Sequence, residues 1–450
     1  MVRPSCVLLA VGCMLSAASA QWLETTIDLP DSSLPQALCY NSQDNKVYCA
    51  NSGGSTHIDG AVTVVDGATN QVVATVIVDR TPSALCYNPQ NDKVYVASSY
   101  VDSVMVIDGT SNAVVATVPV GRWTARFCYN PQNNKVYCTN NWDSTVTVID
   151  GAGDFVVATV PARYTPWAMC HNSQNGRVYV ANYERHNVTV IDGAQDKVIA
   201  TVHAGSHPSA LCYNSRNNKV YCAAAMDATV TVIDGATNGV TATLAAGRGP
   251  YALCCNPQCN KVYVANGHDG TVTVIAGASD SVVATVPAGG SPQSLCYNST
   301  NNKVYCANSG SDDVTVIDGA GDSVIRTIFA GARPHDMTWN PAQNRIYVSN
   351  YDDNSIAVIR DSALTGVRES RPLASGSSRP TASIVRGVLW LAPASSPKHQ
   401  APSCLLDISG RRVAELHARA NDVSRLAPGV YFVRMADGEE RRAFKIVIQR

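Results

Sequence analysis

The feature that most constrains the fold is a short motif that recurs along most of the chain. Residues 88–98 read NPQNDKVYVAS, residues 130–140 read NPQNNKVYCTN, and residues 214–224 read NSRNNKVYCAA. Between the tyrosines of successive KVY-type motifs, the first spacing is 47 residues and every later spacing is 42. A fixed period of this length indicates tandem structural repeats. The eight marker residues are Tyr48, Tyr95, Tyr137, Tyr179, Tyr221, Tyr263, Tyr305 and Tyr347.

Each repeat contains four short runs of β-forming residues separated by turns rich in Asn, Pro, Gly and Asp. In the third repeat the runs are ARFCYN (125–130), KVYCTN (135–140), TVTVID (145–150) and FVVATVP (155–161). Four such runs use up the period and leave no room for a helix. An all-β fold follows, either a β-propeller or a β-solenoid. The propeller is favoured because its sheets bury apolar residues on both faces, as runs such as VTVI require.

The two ends of the array predict how the propeller closes. Residues 23–30 (LETTIDLP) resemble the fourth run of a repeat, whereas the last repeat ends at its third run, residues 355–361 (SIAVIRD). Pairing these two segments completes a last sheet and removes an exposed edge. We therefore expect an eight-bladed β-propeller closed by the N-terminal strand. Seven blades remain the alternative if a terminal repeat is degenerate.

The repeats resemble the YVTN-type β-propeller repeats of surface-layer-like and other exported proteins. The match rests on YVAN (263–266), YCAN (305–308), YVSN (347–350) and the recurrent TVTVIDG, and it extends over roughly residues 23–361. The resemblance implies that residues 21–361 form a secreted propeller. It also implies a non-catalytic or uncharacterised role more often than a defined enzyme.

The N-terminus has the pattern of a secretory signal peptide over residues 1–20. Arg3 supplies the positive charge, residues 6–16 the short apolar run, and Ala18-Ser19-Ala20 the small-residue cleavage site. The apolar run is too short to span a bilayer, so no transmembrane segment is expected in the mature chain. Cleavage after Ala20 is favoured over a lipoprotein signal at Cys13. We therefore expect the protein to leave the cytoplasm.

The tail predicts a second module. Residues 362–389 are rich in Ser, Pro and Arg and suggest a linker, and residues 390–450 suggest a small C-terminal β-sandwich. The stretches DISGR (407–411), LAPGVYF (426–432) and KIVI (445–448) resemble the type A sorting domain of type IX secretion cargo. The resemblance implies type IX export machinery as a partner, and a secreted or outer-membrane cell-surface location. An ordinary accessory β-domain is the alternative.

Charge and motif content exclude several functions. The formal net charge is −1 and only 15% of residues are charged, so nucleic acid is not expected as a partner. The sequence contains no CxxCH haem motif, no HExxH zinc motif and no GxSxG nucleophile elbow. No cofactor and no metal site are predicted.

The cysteines follow the repeat. Seven occupy one place in the first run, and four follow the KVY motif in alternate repeats. The favoured interpretation is a small, buried, apolar side chain. A disulfide across a hairpin, for example Cys39–Cys49, is the alternative in an exported protein. In the irregular turn of the sixth repeat, a hairpin disulfide Cys255–Cys259 is expected in preference to a metal site with His268.

Positions that vary between repeats predict the binding surface, because constant positions maintain the sheets. The Asp of the recurrent IDG is accordingly interpreted as a turn cap. The variable positions lie in two loop sets expected at one end of the propeller, and the third and fourth repeats concentrate Trp, Tyr and Arg there. Aromatic faces beside Arg donors suit glycans, anionic polymers or proteins; a solvated rim with chance aromatics is the alternative. The candidate ligand-binding residues are Arg122, Trp123, Arg126, Trp142, Arg163, Tyr164, Trp167, Tyr183 and Arg185.

A second group of variable positions continues around the same end: His207, Arg248, Tyr251, His268, Asp269, Arg333, His335 and Asp336. The leading hypothesis is an exported binding or structural propeller whose ligand is a surface glycan or a protein. The alternatives are an exported, metal-dependent lactonase- or hydrolase-like enzyme acting at the central cleft, and a periplasmic assembly scaffold. Catalysis is left open, with a non-catalytic role favoured.

Overall fold

The computed structural model describes residues 19–53 and 60–363 and, in the C-terminal part, residues 383–385, 388–391, 403–406, 412–416, 419–422, 429–437 and 440–448. Within the first two ranges, the chain forms eight four-stranded antiparallel sheets. One 3-10 turn, Tyr183–Arg185, is the helical element described there. In the described part of the chain, no helix has the length and hydropathy needed to cross a membrane.

The first strand of each repeat is the innermost strand of a blade. These strands contact one another in an unbroken series that returns from the last blade to the first. They are β2 (Pro35–Asn41), β6 (Pro82–Asn88), β10 (Thr124–Asn130), β14 (Pro166–Asn172), β18 (Pro208–Asn214), β22 (Pro250–Asn256), β26 (Pro292–Asn298) and β30 (Pro334–Asn340). The series therefore surrounds a central channel.

The second and third strands form the buried middle of each blade. The second strands are β3 (Lys46–Asn51), β7 (Lys93–Ser98), β11 (Lys135–Asn140), β15 (Arg177–Asn182), β19 (Lys219–Ala224), β23 (Lys261–Asn266), β27 (Lys303–Asn308) and β31 (Arg345–Asn350). The third strands are β4 (Gly60–Asp66), β8 (Ser103–Asp108), β12 (Thr145–Asp150), β16 (Asn187–Asp192), β20 (Thr229–Asp234), β24 (Thr271–Ala276), β28 (Asp313–Asp318) and β32 (Ser355–Ala363).

The fourth strands form the perimeter. In the first seven blades they are β5 (Val72–Val78), β9 (Val114–Pro119), β13 (Val156–Pro161), β17 (Lys197–His203), β21 (Val240–Ala245), β25 (Ser281–Pro287) and β29 (Val324–Phe329). In blade 8, β1 (Ser19–Asp28) takes this place by pairing antiparallel with β32. The predicted all-β, eight-bladed propeller closed by the N-terminal strand is confirmed, and the seven-blade alternative is wrong. Residues 1–18 of the predicted signal peptide lie outside the described residues.

The alternation of side chains along the second strand connects each blade to both of its neighbours. Val47 and Cys49 of β3 pack against blade 8, whereas Tyr48 between them packs against blade 2. All three side chains are fully buried. Because successive residues of a strand point to opposite faces, a continuous apolar run is what a doubly buried blade requires.

Polar contacts also connect each blade to its neighbours, at the end of the propeller opposite the variable loops. The Tyr95 hydroxyl donates to Asp154 Oδ1 at 2.7 Å, and Lys93 Nζ lies 2.6 Å from Asp154 Oδ2 in the next blade. We call this contact, from the Tyr and Lys of a second strand to the turn after the third strand of the following blade, the inter-blade latch. Buried hydroxyls and amines at this site require such partners, since an unpaired buried polar group costs about 1–3 kcal/mol.

An asparagine at the end of every innermost strand reinforces the latch. In blade 4, for example, Asn172 Nδ2 donates to Asn218 Oδ1 of blade 5 at 2.9 Å, while its Oδ1 caps its own turn at the Gln174 N–H. Each of these asparagines is fully buried. They are Asn41, Asn88, Asn130, Asn172, Asn214, Asn256, Asn298 and Asn340.

The IDG aspartates cap turns, as the sequence predicts. Asp234 Oδ1 accepts hydrogen bonds from the backbone N–H groups of Ala236 and Thr237 at 3.0 and 2.8 Å. The Thr237 N–H and hydroxyl, which hydrogen-bond the ionised carboxylate, hold the pKa of Asp234 below its ordinary value. The carboxylate is thus occupied by its own turn.

Blade 8 lacks the turn that closes the other latches, and Asp361 takes its place. Its carboxylate is fully buried and lies 2.7 Å from Lys303 Nζ of blade 7. It also accepts from Asn298 Nδ2 at 2.7 Å and from Gln21 Nε2 of β1 at 3.0 Å. One side chain therefore joins the last two blades to the N-terminal strand.

The C-terminal part is a separate compact unit. Its described strands are β33 (Ser383–Val385), β34 (Val388–Leu391), β35 (Ser403–Leu406), β36 (Arg412–Leu416), β37 (Arg419–Asp422), β38 (Gly429–Asp437) and β39 (Glu440–Ile448). They form a five-stranded sheet in the order β33-β39-β38-β35-β36 and a two-stranded sheet of β34 and β37. The first described strand begins within the segment expected to be a linker, and the boundaries of this module remain predictions.

Substituting Asp361 tests the closure. Asp361→Ala leaves Lys303 buried without its partner and removes an acceptor of Gln21, so we expect a loss of about 3–5 kcal/mol in the free energy of unfolding. Urea denaturation followed by circular dichroism measures it. Asp352→Ala is the matched control, because the Arg333–Asp352 pair is exposed, and it should cost less than about 1 kcal/mol. Equal midpoints for the two variants would contradict the closure described here.

Candidate functional site

The two variable loop sets meet at one end of the propeller, as predicted. In blade 3, the Asn141 N–H donates to Trp123 O at 3.1 Å, and the Trp142 N–H donates to Arg122 O at 3.3 Å. The same pair of contacts recurs in blade 5, from Ala225 and Met226. We call this end, formed by the loops between blades and the loops joining second to third strands, the rim.

Three aromatic side chains form a group on the rim. The Trp123 and Trp142 rings are stacked, with centroids 4.9 Å apart and planes at 21°. Tyr100 of blade 2 meets Trp123 edge-on at 4.9 Å. Tyr100 is 67% exposed and Trp142 is 65% exposed. We call these three residues the aromatic platform.

Tyr100 was not among the predicted residues, although its loop belongs to the predicted set. It is the single aromatic residue of its loop, and nothing in the sequence reveals that it reaches across to blade 3. The contact depends on the curvature of the ring, which brings successive rim loops together. A sequence reading limited to the two repeats richest in tryptophan therefore misses the neighbouring blade.

The charged residues beside the platform are part of the loop scaffold. Arg122 Nε lies 2.7 Å from Asp143 Oδ1, and the Asp143 carboxylate also accepts the Arg122 N–H. These bonds, the backbone one first, hold the pKa of Asp143 below its ordinary value. Arg248 and Asp269 of blade 6 repeat the arrangement at 2.7 Å. A contact repeated at the same register in two blades supports the loops and does not by itself mark a site.

The other predicted residues divide between the rim and the channel. The Arg185 guanidinium lies over the Tyr164 ring at 4.3 Å on the rim of blade 4. Trp167 of β14 lies at the channel mouth, where the Arg126 guanidinium approaches its ring at 5.4 Å. Tyr183 connects the two regions, 6.1 Å from Trp167. No side-chain partner of Arg163 is found among the described residues; its backbone N–H donates to Asn182 Oδ1 at 3.3 Å.

The second predicted group is spread over several blades. His207 contacts Tyr183 edge-on at 4.6 Å, and the Tyr251 hydroxyl lies 2.8 Å from His268 Nε2. His335 Nδ1 lies 2.8 Å from Gln36 O. Across residues 19–53, 60–363 and the described C-terminal strands, no three His, Cys, Asp or Glu side chains are grouped to hold a metal ion. The histidines thus have separate local partners.

The expected Cys255–Cys259 disulfide is wrong, and the Cys39–Cys49 disulfide, the alternative to buried thiols, is not formed. In blade 1, Cys39 lies opposite Tyr48, and Cys49 lies opposite Leu38. Cys39 and Cys49 therefore point to opposite faces of the sheet and pack against different blades. Cys255 and Cys259 are also free. Burial raises the pKa of the Cys255 thiol to about 12, so it is inert as a nucleophile near neutral pH.

Burial and register predict that the thirteen cysteines of the described propeller residues, 19–53 and 60–363, remain thiols. Alkylation of unreduced protein in denaturant, followed by peptide mass spectrometry, should find each of them modified. In the folded protein the same reagent should react slowly with the twelve cysteines other than Cys259, because desolvation disfavours their thiolates. A disulfide-linked peptide that pairs two of these residues would contradict the structure.

Comparisons with known proteins add information on the fold. No family model matches the chain, and no curated protein matches it. Among solved structures, it is similar to a chain of the hydrazine synthase of Kuenenia stuttgartiensis, with 19% identity and a TM-score of 0.54. The match covers 74% of this chain and 97% of that chain. At this level of identity, the likeness shows that both chains contain a β-propeller.

Proposed function

We propose that this chain is an exported β-propeller that acts as a non-catalytic binding module, with the aromatic platform as its contact surface for a glycan. The observation that carries the proposal is the stack of the half-buried Trp123 on the exposed Trp142, extended by the exposed Tyr100. Large aromatic rings seldom face solvent as a contiguous group unless they contact a partner.

The geometry of the platform favours a sugar ring over a peptide helix. Stacked rings offer a flat apolar face to the CH groups of a pyranose, and the Arg122–Asp143 pair beside them offers hydrogen bonds to hydroxyls. A protein ligand is the other outcome of the tests below.

Export is the second half of the proposal. Its support is the signal-like segment at residues 1–20 together with the three motifs of residues 390–450 that resemble a type IX sorting domain. The YVTN-type resemblance of the repeats is consistent with a secreted or outer-membrane cell-surface location. Many polar side chains of the propeller hydrogen-bond between blades. Such a scaffold suits a protein that presents a binding surface and catalyses no reaction.

The alternative, an exported metal-dependent lactonase- or hydrolase-like enzyme, would act at the central cleft. The likeness to hydrazine synthase concerns the fold, and what that enzyme does is a property of that protein. The candidate carboxylates on the rim, Asp143 and Asp269, are engaged by arginine and by backbone N–H groups. The aromatic platform has no such internal role, and it therefore favours the binding module.

Trp142→Ala tests the platform. We expect the full chain to bind one or more members of a glycan array, and the substitution to weaken that binding about tenfold or more, as loss of a central aromatic contact does. Met226→Ala is the matched control, because Met226 occupies the same rim register in blade 5 and is 70% exposed. Unchanged glycan binding by Trp142→Ala would refute the platform. Capture of a protein that Trp142→Ala fails to capture would replace the glycan.

Removing residues 390–450 tests export. The truncated protein should accumulate in the periplasm, whereas the full chain should reach the cell surface or the medium. Protease accessibility on intact cells and immunoblotting of fractions measure the difference. Trp142→Ala in the full chain is the control, since it leaves the tail intact. Normal surface display of the truncated chain would show that export does not need the tail.

A further inference from the structure

The repeats provide an internal comparison at the wall of the central channel. In six blades, the third residue of the innermost strand is small. These residues are Ala37, Ala84, Ala168, Ala210, Ala252 and Ser294. At the same register, blade 3 has Arg126 and blade 8 has Asp336. Two charges of opposite sign thus break a ring of small residues.

A second substitution accompanies each charge. The Arg126 N–H donates to Thr139 Oγ1 at 3.1 Å, and the Asp336 N–H donates to Ser349 Oγ at 3.0 Å. In the other six blades the residue at this place of the second strand is alanine: Ala50, Ala97, Ala181, Ala223, Ala265 and Ala307. The hydroxyl anchors the backbone of the charged residue, so two strands cooperate to place each charge.

Arg126 has no carboxylate partner within ion-pair distance among the described residues. Among the described residues, the Arg126 guanidinium makes one hydrogen bond, from Nη1 to the carbonyl of the preceding Ala125 at 2.8 Å. A guanidinium carries five N–H donors, so most of those of Arg126 have no acceptor among the described residues. The side chain has accessible surface, yet desolvation by the surrounding wall lowers its pKa. Accessible surface and a lowered pKa occur together when a side chain is exposed only to a narrow channel, and we place Arg126 in such a channel.

Asp336 is the second charged residue of this ring. Its charge partly offsets the effect of desolvation on the pKa of Arg126, although the two residues lie three blades apart in the ring. The Asp336 carboxylate is already engaged, accepting the Leu38 N–H at 2.9 Å and the Ser294 hydroxyl at 3.3 Å. The Asp336 carboxylate is therefore hydrogen-bonded by residues of the channel wall, whereas the Arg126 guanidinium remains available to a ligand.

We propose that the channel mouth is a binding site for a small organic monocarboxylate, held by the Arg126 guanidinium with its apolar part beside Trp167. The planar fork of arginine matches a carboxylate in bidentate geometry. The Trp167 ring, 5.4 Å from the guanidinium, provides an apolar wall next to it. Alanines at the same level in blades 4, 5 and 6 leave room for the body of the ligand.

Asp336 opposes any anion that enters the channel, and this repulsion grows with the charge of the anion. Preference for a monocarboxylate over phosphate therefore comes from the apolar body of the carboxylate, which can contact the Trp167 ring as phosphate cannot. The site thus favours small carboxylates with an apolar part. It does not depend on the aromatic platform, which lies on the rim and involves other residues.

Benzoate binding by the full chain tests the proposal, measured by isothermal titration calorimetry and by quenching of tryptophan fluorescence. Benzoate should bind saturably, whereas benzamide, its neutral counterpart, and inorganic phosphate should bind much more weakly. Arg126→Ala should weaken benzoate binding about tenfold or more, the effect expected for loss of a charge-assisted hydrogen bond. The blade should tolerate this change, because five other blades carry alanine at the same register.

Two further variants complete the test. Arg248→Ala removes a rim arginine that is paired with Asp269, and it should leave benzoate binding unchanged. Asp336→Asn keeps an acceptor for the Leu38 N–H, and it should strengthen binding of benzoate and, more markedly, of phosphate. Absence of saturable benzoate binding, or equal binding by Arg126→Ala, would overturn the proposal. Glycan binding should persist in Arg126→Ala, so failure of this site is distinguishable from failure of the platform.

Discussion

The structure depends on the contact that each blade makes with the turn of the next. A single four-stranded sheet with apolar residues on both faces cannot be stable in water, and the latch fixes how neighbouring sheets stack. Tyr95 and Lys93 reaching Asp154 are one instance, and a buried asparagine supports each step. Because these partners lie at fixed offsets in the sequence, the motif must be repeated nearly unchanged. This requirement explains why KVY and IDG recur in the sequence.

The repeat made much of this architecture predictable from the sequence. The period and the truncated last unit together predicted eight blades and the pairing of residues 23–30 with residues 355–361; the structure has eight blades, and the N-terminal strand that pairs there is Ser19–Asp28. The IDG aspartates were predictable as turn caps, because residue type and turn position agree. Periodicity succeeds here because the same physical requirement acts on every unit.

Register within the hairpins was not predictable to the same degree. Placing Cys39 opposite Cys49 assumes a turn one residue longer than the four residues that separate Asn41 from Lys46. A shift of one residue moves a side chain to the other face of a strand, so the Cys39–Cys49 disulfide, the alternative to buried thiols, is not formed. Prediction of the candidate site from the sequence was limited by a different cause. Contacts such as Tyr100 with Trp123, or the effect of Asp336 on Arg126, join residues of different blades, and linear spacing does not contain that information.

Closure by β1 also has a consequence for the order of assembly. Gln21 and its acceptor Asp361 are 340 residues apart, so the earliest described strand has no mate until the last blade has emerged. Contacts of such large sequence separation are slow to form, because the intervening chain must be ordered first. During synthesis, the growing array of blades therefore remains open, with an unpaired strand edge. The propeller of this chain can therefore become a closed ring only after residue 361 has been synthesised.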